Sequence, residues 1–302
     1  MDNLCHTLVG AAIGEAGLKG RAKHGNLVLM VAANLPDIDV LAFLSDTPAV
    51  ALRRGWTHGV LAQALLPVIM TGALVAFERL RPRPPGADPA RAAPLLLLCY
   101  AGVISHVLLD WLNNYGVRLL MPFSSRWFYG DSVFIVDPWL WLLLGAGALL
   151  ARRYSPLAAR AALILATMYV AVMMALAFSS RAHVLAAWAR HHPDPPRALM
   201  VGPVPINPLR KAIILDDGTQ YHTGSFDWWA GSVTYARATP RLPDHPAVAR
   251  ARDHPDIRAV LVWARFPYYE VRPTSAGTEV TLRDRRFGAA VGEVRVVVPA
   301  DP

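Results

Sequence analysis

The stretch 105–137, SHVLLDWLNNYGVRLLMPFSSRWFYGDSVFIVD, decides how the rest of the chain is read. It opens inside an apolar run, LLLLCYAGVISHVLLDWL (95–112), which predicts a helix in a membrane. His106 and Asp110 lie four residues apart, so they project from one face of that helix. An ionisable pair near the end of a spanning helix is expensive to keep and marks a functional site by default.

Composition agrees. Of 302 residues, 54% are hydrophobic and only 17% charged, which is too apolar for an ordinary soluble domain. The apolar residues fill runs before about residue 178 and thin out afterwards. The net charge of +8 comes mostly from arginine. Nucleic acid binding is one reading of that excess. The arginines sit at the ends of apolar runs, however, which favours membrane topology, and no nucleic acid partner is expected. Cys5 and Cys99 form no CxxC pair, so neither a disulfide framework nor a thiolate zinc site is expected. The N-terminus lacks the basic start of a signal peptide and reads as a retained first helix.

Taken in order, apolar runs predict helices over about 4–18, 26–44, 59–77, 95–112, 138–150 and 159–178. Pro36 in NLPDID should break or kink the second. The Pro- and Arg-rich 78–94 loop reads as solvent-exposed. The fold class expected is a mainly α, polytopic membrane bundle of about six helices, followed by a small extramembrane β-rich domain. The division expected is 1–180, membrane-embedded and carrying the site, and 181–302, extramembrane. In the second part, 213–215, the Asp217-Gly218 turn and TQYHTGSF read as a hairpin, with further strands over 260–266, 279–282 and 293–298. Several of the six runs fall short of the ~20 residues a crossing needs. Basic residues concentrate in alternate loops: Lys19, Arg21 and Lys23, then Arg79, Arg81, Arg83 and Arg91, then Arg152, Arg153 and Arg160. The positive-inside rule puts these in the cytoplasm. Six crossings then leave both termini outside, with the C-terminal domain periplasmic or extracellular.

That topology sorts His6, Asp37, Asp39, His58, His106, Asp110, Asp131 and Asp137 to the outer side. Imidazoles and carboxylates suit zinc, manganese or iron, and catalytic zinc sites use three protein ligands with one position open. Six ligand-type side chains (His6, Asp37, Asp39, His58, His106, Asp110) exceed one tetrahedral site. Either some orient the others from behind, or two ions bind. Each residue also has a plain alternative. His6 and His58 suit a membrane interface, Asp37 and Asp39 suit caps around the proline break, and His106 with Asp110 suits a buried hydrogen-bonded pair. Asp137 before Pro138 reads as an ordinary cap. Asp39 or Asp131 is available as a general base. Arg54 and Arg126 suit either an anionic substrate or a topology flank.

The residues also match a known pattern. His6 before a small-residue helix, LPDID at 35–39, RGWTHG at 54–59, SHVLLDWLNNYG at 105–116 and MPFS at 121–124 together resemble the YdjM family. The family comprises bacterial inner-membrane proteins described as metal-dependent hydrolases, in some bacteria under LexA (SOS) control. The resemblance implies metal ligation at His6, Asp37, Asp39, His58, His106 and Asp110, and location in the inner (plasma) membrane. Gly59 stands where such families often carry serine. The resemblance covers the first half of the chain. The expectation is a membrane-embedded hydrolase using a divalent metal, zinc first with manganese or iron as alternatives, one ion or two. Its substrate would be an ester or phosphoester, with membrane lipid or another amphiphile suggested by the headgroup depth. A non-enzymatic metal-binding or ion-transport protein is the alternative.

Overall fold

A computed structural model describes residues 1–81, 91–242 and 244–299. The centre of the expected exposed loop, with Arg83, lies outside the described residues. By contacts the chain forms two compact units: Met1–Asp39 with Arg54–Ala175, and Val40–Arg53 with Leu176–Pro302.

The first unit contains α1 (Asn3–Glu15), α2 (Gly25–Ala32), α3 (Val60–Leu80), α4 (Ala92–Trp111), α5 (Pro138–Arg153) and the first part of α6 (Pro156–Ala189). Each forms where an apolar run predicted it. Local chemistry fixes the starts: Asp2 caps α1 by accepting from the Cys5 amide at 3.1 Å. Asp137 caps α5, accepting from the Trp139 and Leu140 amides at 3.0 Å, with Pro138 in the first turn. Pro36 follows the end of α2, and the chain continues as a 3-10 helix, Leu35–Leu44, bent 47° from α2.

The six crossings expected are not all met by helix length. α3, α4 and α6 are long and apolar enough to span, and the bent pair of α2 with Leu35–Leu44 makes a fourth candidate. At 13 and 16 residues, α1 and α5 fall below a bilayer's thickness. The expected division at 180/181 falls inside α6, which runs unbroken through it.

Within this unit α2 packs between α1 and α4, while α3 lies on α4 and α5 on α1. Val28, Leu29, Ala32, Leu95, Leu98 and Cys99 form the buried α2–α4 seam. Gly102 makes the seam tight: a Cβ there would meet the Ala32 Cβ at 2.6 Å and the Ala33 nitrogen at 2.8 Å. Small residues let helix backbones approach this closely in membranes. The close approach sets the level at which α4 presents the rest of its face.

In the second unit the end of α6 lays Val184 and Trp188 on an antiparallel sheet. That sheet has β1 (Ala198–Pro203), β2 (Arg210–Asp216), β3 (Gln220–Asp227) and β4 (Ser232–Tyr235) in sequence order, with β5 (Thr239–Pro240) also on β3. The β2–β3 turn is the expected hairpin, and Gly218 takes its left-handed position at φ 101°. A second antiparallel sheet, β6 (Pro267–Thr274), β7 (Gly277–Asp284) and β8 (Val294–Val298), packs with α7 (Pro246–Ala251) and α8 (Pro255–Trp263). The expected strand over 260–266 is wrong. Residues up to Trp263 are helical, because His254 caps the first turn, Pro255 sits within it, and Ile257, Val260 and Trp263 bury one helical face.

Candidate metal centre

Asp37, His58, His106 and Asp110 each bring one ligand atom within 4.8 Å of the others, and all four are buried. α4 supplies His106 and Asp110 from one face, the turn after the α2 break supplies Asp37, and the turn before α3 supplies His58. Nε2 of His58 lies 3.1 Å from Nε2 of His106 and 3.2 Å from Oδ2 of Asp110. Nε2 of His106 is 3.6 Å from the same Oδ2, and Oδ1 of Asp37 is 3.9 Å from both imidazole nitrogens. Ligands at ~2.0–2.1 Å around a tetrahedral zinc stand ~3.3–3.4 Å apart, so the set fits a single ion.

The hydrogen bonds behind the rings decide which nitrogens face inward. His106 Nδ1 is 2.7 Å from the Ala33 carbonyl, which only accepts, so this nitrogen carries the proton. The Thr57 hydroxyl donates to Asp39 Oδ2 at 3.1 Å, leaving its oxygen to accept from His58 Nδ1 at 2.9 Å. Asp39 Oδ2 also lies 3.4 Å from His58 Nδ1. In the neutral rings both Nε2 atoms are then unprotonated, and two lone pairs face each other at 3.1 Å beside a carboxylate oxygen. That oxygen, Asp110 Oδ2, has no hydrogen-bond partner among the described residues. Buried acceptors converging without a donor suit a cation between them.

The remaining expected residues fall around this group. His6 is fully buried, stacked on His106 with ring centres 3.8 Å apart. Its Nε2 is 3.3 Å from Asp110 Oδ1 but not in hydrogen-bond geometry, and neither ring nitrogen has a hydrogen-bond partner among the described residues. Asp39 stands behind His58 and also accepts from the Arg54 amide at 2.7 Å. Asp131 is not one of the four. It is a buried left-handed residue (φ 49°) between Gly130 and Ser132, whose amides bond to the Trp111 and Leu112 carbonyls at the end of α4. Asp137 caps α5 and accepts from the Tyr169 hydroxyl at 2.9 Å.

Arg54 takes a part that its sequence position does not reveal. It is buried, donates from Nη2 to Asp110 Oδ1 at 2.9 Å and from Nη1 to Asn113 Oδ1 at 3.0 Å, and covers the Tyr115 ring. The Met1 amino nitrogen also pairs with Asp110 Oδ1. Arg54, Asn113 and Thr57 stand behind the four candidate ligands, Arg54 on Asp110 and Asn113 and Thr57 on Asp39 and His58. The available signal was their adjacency to WTH and LLDW in the motifs. Gly59 has a steric reason: a Cβ there would lie 2.4 Å from the Met121 carbonyl oxygen, so the turn that presents His58 is pressed onto the 105–137 stretch.

A family model described as YdjM inner membrane protein matches residues 1–182. The chain belongs to the YdjM inner membrane protein family. The match covers the whole constellation, so the YdjM region and the candidate metal centre coincide, in a membrane protein with three to four apolar spanning helices. The chain is 29% identical over 152 residues to a Bacillus subtilis (strain 168) protein described as "Uncharacterized protein YfhP"; the alignment covers 47% of this chain and 43% of that relative. No solved structure matches the chain.

Proposed function

We propose that this YdjM protein is a metal-dependent hydrolase of an ester or phosphoester carried by a membrane amphiphile. The observation that carries the reading is the convergence, in one buried cluster, of the Nε2 atoms of two imidazoles and a carboxylate oxygen with no hydrogen-bond partner among the described residues. His58, His106, Asp110 and Asp37 hold the ion. A divalent cation bound there supplies Lewis acidity and lowers the pKa of a coordinated water towards ~7. Asp39 and Thr57 fix the His58 tautomer, and the Ala33 carbonyl fixes that of His106. Arg54 holds Asp110 with Oδ2 turned to the imidazoles. His6, buried on His106 with Nε2 3.3 Å from Asp110 Oδ1, is a further candidate ligand at the edge of the group. Asp39 is engaged on His58 and Asp131 stands outside the group, so neither is assigned the transfer of a proton.

The amphiphile is supported by a cleft of about 490 Å³, within the usual size of ligand pockets. Leu27, Val31 and Ile38 are exposed on its apolar wall, while Thr7, Asn34 and Asp37 supply polar groups. In a spanning unit such a wall meets lipid. The alternation of basic loops favours the outer face of the inner membrane, with the C-terminal unit outside.

The test is metal analysis of the purified protein, then turnover of ester and phosphoester lipids. Wild type should carry about one zinc, manganese or iron per chain and hydrolyse one lipid class; His106→Ala should lose both. Unchanged metal content in His106→Ala would refute the ligand set. Metal retention with ion flux in liposomes and no lipid turnover would favour the transport reading, which the broken helix at Asp37 also suits.

A further inference from the structure

The membrane unit is interrupted once in sequence. It runs to Asp39 and resumes at Arg54, and the segment between, Val40–Arg53, belongs to the C-terminal unit. There the short 3-10 helix Ala49–Ala51 packs on α8, and Val50 lies against the cluster that includes Val248, Ile257, Val260 and Val280. The interruption falls between the halves of the candidate metal centre. Asp37 and Asp39 precede it; Arg54, Thr57 and His58 follow it. The two ends meet in the membrane unit, where the Arg54 amide donates to Asp39 Oδ2 at 2.7 Å and the Thr57 hydroxyl donates to the same oxygen at 3.1 Å.

We propose that the C-terminal unit is a positioning element for the metal centre, acting through Val50. An unanchored loop between the two halves would sample many conformations, and closing its neck would cost entropy each time. Packing the half-buried Val50 against that cluster removes that freedom and keeps Asp39 registered on Arg54 and His58. Val50 touches no ligand atom, so it is a positioning residue. This gives a task to a unit most of which lies beyond the family match, which ends at residue 182. Only its metal readout rests on the proposed function.

The test compares Val50→Asp and Val50→Ile in the full chain in lipid nanodiscs. Hydrogen exchange is followed without added metal, and zinc affinity is measured alongside. Val50→Asp should speed exchange across Val40–Arg53 and, with it, at the Arg54 amide by at least tenfold. It should weaken zinc binding by at least tenfold, whereas Val50→Ile leaves both near wild type. If Val50→Asp does not fold, Val50→Ala is read the same way with a smaller shift. Faster exchange in the segment with an unchanged Arg54 amide and zinc affinity overturns the proposal, as does a segment indifferent to Val50→Asp. If wild type takes up no zinc, the ligand assignment fails and the Arg54 amide alone decides this one.

Discussion

Asp110 and Asp284 are both fully buried carboxylates beside an arginine, one in each unit, and they are treated differently. Asp284 is saturated. Its Oδ1 accepts from the Arg286 amide and Nε at 2.8 and 2.9 Å; its Oδ2 accepts from the Arg265 and Phe266 amides and Arg286 Nη2 at 2.6, 3.2 and 3.0 Å. Every lone pair serves the connection between α8 and β6 and the turn after β7. Asp110 is saturated on one side only. Arg54 and the Met1 nitrogen hold Oδ1, and Oδ2 is left facing the Nε2 atoms of two imidazoles without a hydrogen-bond partner among the described residues. A buried ion pair by itself says little about function. What separates an architectural pair from a site is whether the acceptors left over converge.

The largest effect that would break this comparison comes from isosteric substitution at both positions. Asp110→Asn and Asp284→Asn each strand a buried guanidinium, and each should cost ~3–5 kcal/mol by thermal or denaturant unfolding. Only Asp110→Asn should also abolish metal binding. Equal metal content in the two variants would make Asp110 as architectural as Asp284.

A smaller effect separates ligands from the groups behind them. Asp37→Asn should lose metal outright, whereas Asp39→Asn should weaken affinity ~10–100-fold, as loss of an orienting partner does. Titration with a competing chelator reads both. Identical losses would put Asp39 among the ligands. Gly59→Ala sharpens the steric side: its Cβ would press on the Met121 carbonyl and should destabilise the membrane unit by ~1–3 kcal/mol, measured by melting.

The smallest effect lies in the C-terminal unit, where Asp217 accepts from His222 Nε2 at 2.7 Å. Burial alone would raise the Asp217 carboxyl, but His222 and the Gln220 and Thr219 donors hold it well below the usual carboxylate range. A depressed folded-state pKa stabilises above the ordinary value near ~3.9 and is lost as pH falls below it. Asp217→Asn should therefore remove under ~1 kcal/mol of stability at neutral pH, and the loss should shrink steadily as pH falls below ~3.9. A loss that stays constant from neutral pH down to about pH 2 would show that the contact is not charge-assisted.

Much of the site was legible because it is local in sequence. The i, i+4 spacing of His106 and Asp110 fixes a shared helix face, the proline in LPDID breaks α2 where Asp37 is needed, and Asp137-Pro138 caps a helix. What was not legible depends on distant contacts. Asp37 and Asp39 look equivalent in DID, and only Thr57 and Arg54 show that Asp39 stands behind His58. The short reach of α1 and α5 follows from where turns and caps end them, not from apolar composition. The Val-rich run of α8 looked like a strand because β-branched content outweighed a weak cap signal. The assignment of Val40–Arg53 to the C-terminal unit rests on Val50 finding a core about two hundred residues away, which no local pattern records.

The most direct test of the central claim is X-ray absorption at the zinc edge of the purified, zinc-loaded chain. A first shell of nitrogen and oxygen at ~2.0–2.1 Å with scattering from two imidazoles is the predicted result, and His106→Ala should retain no zinc to give a signal. A chain that binds no zinc, or a spectrum identical in wild type and His106→Ala, would contradict it.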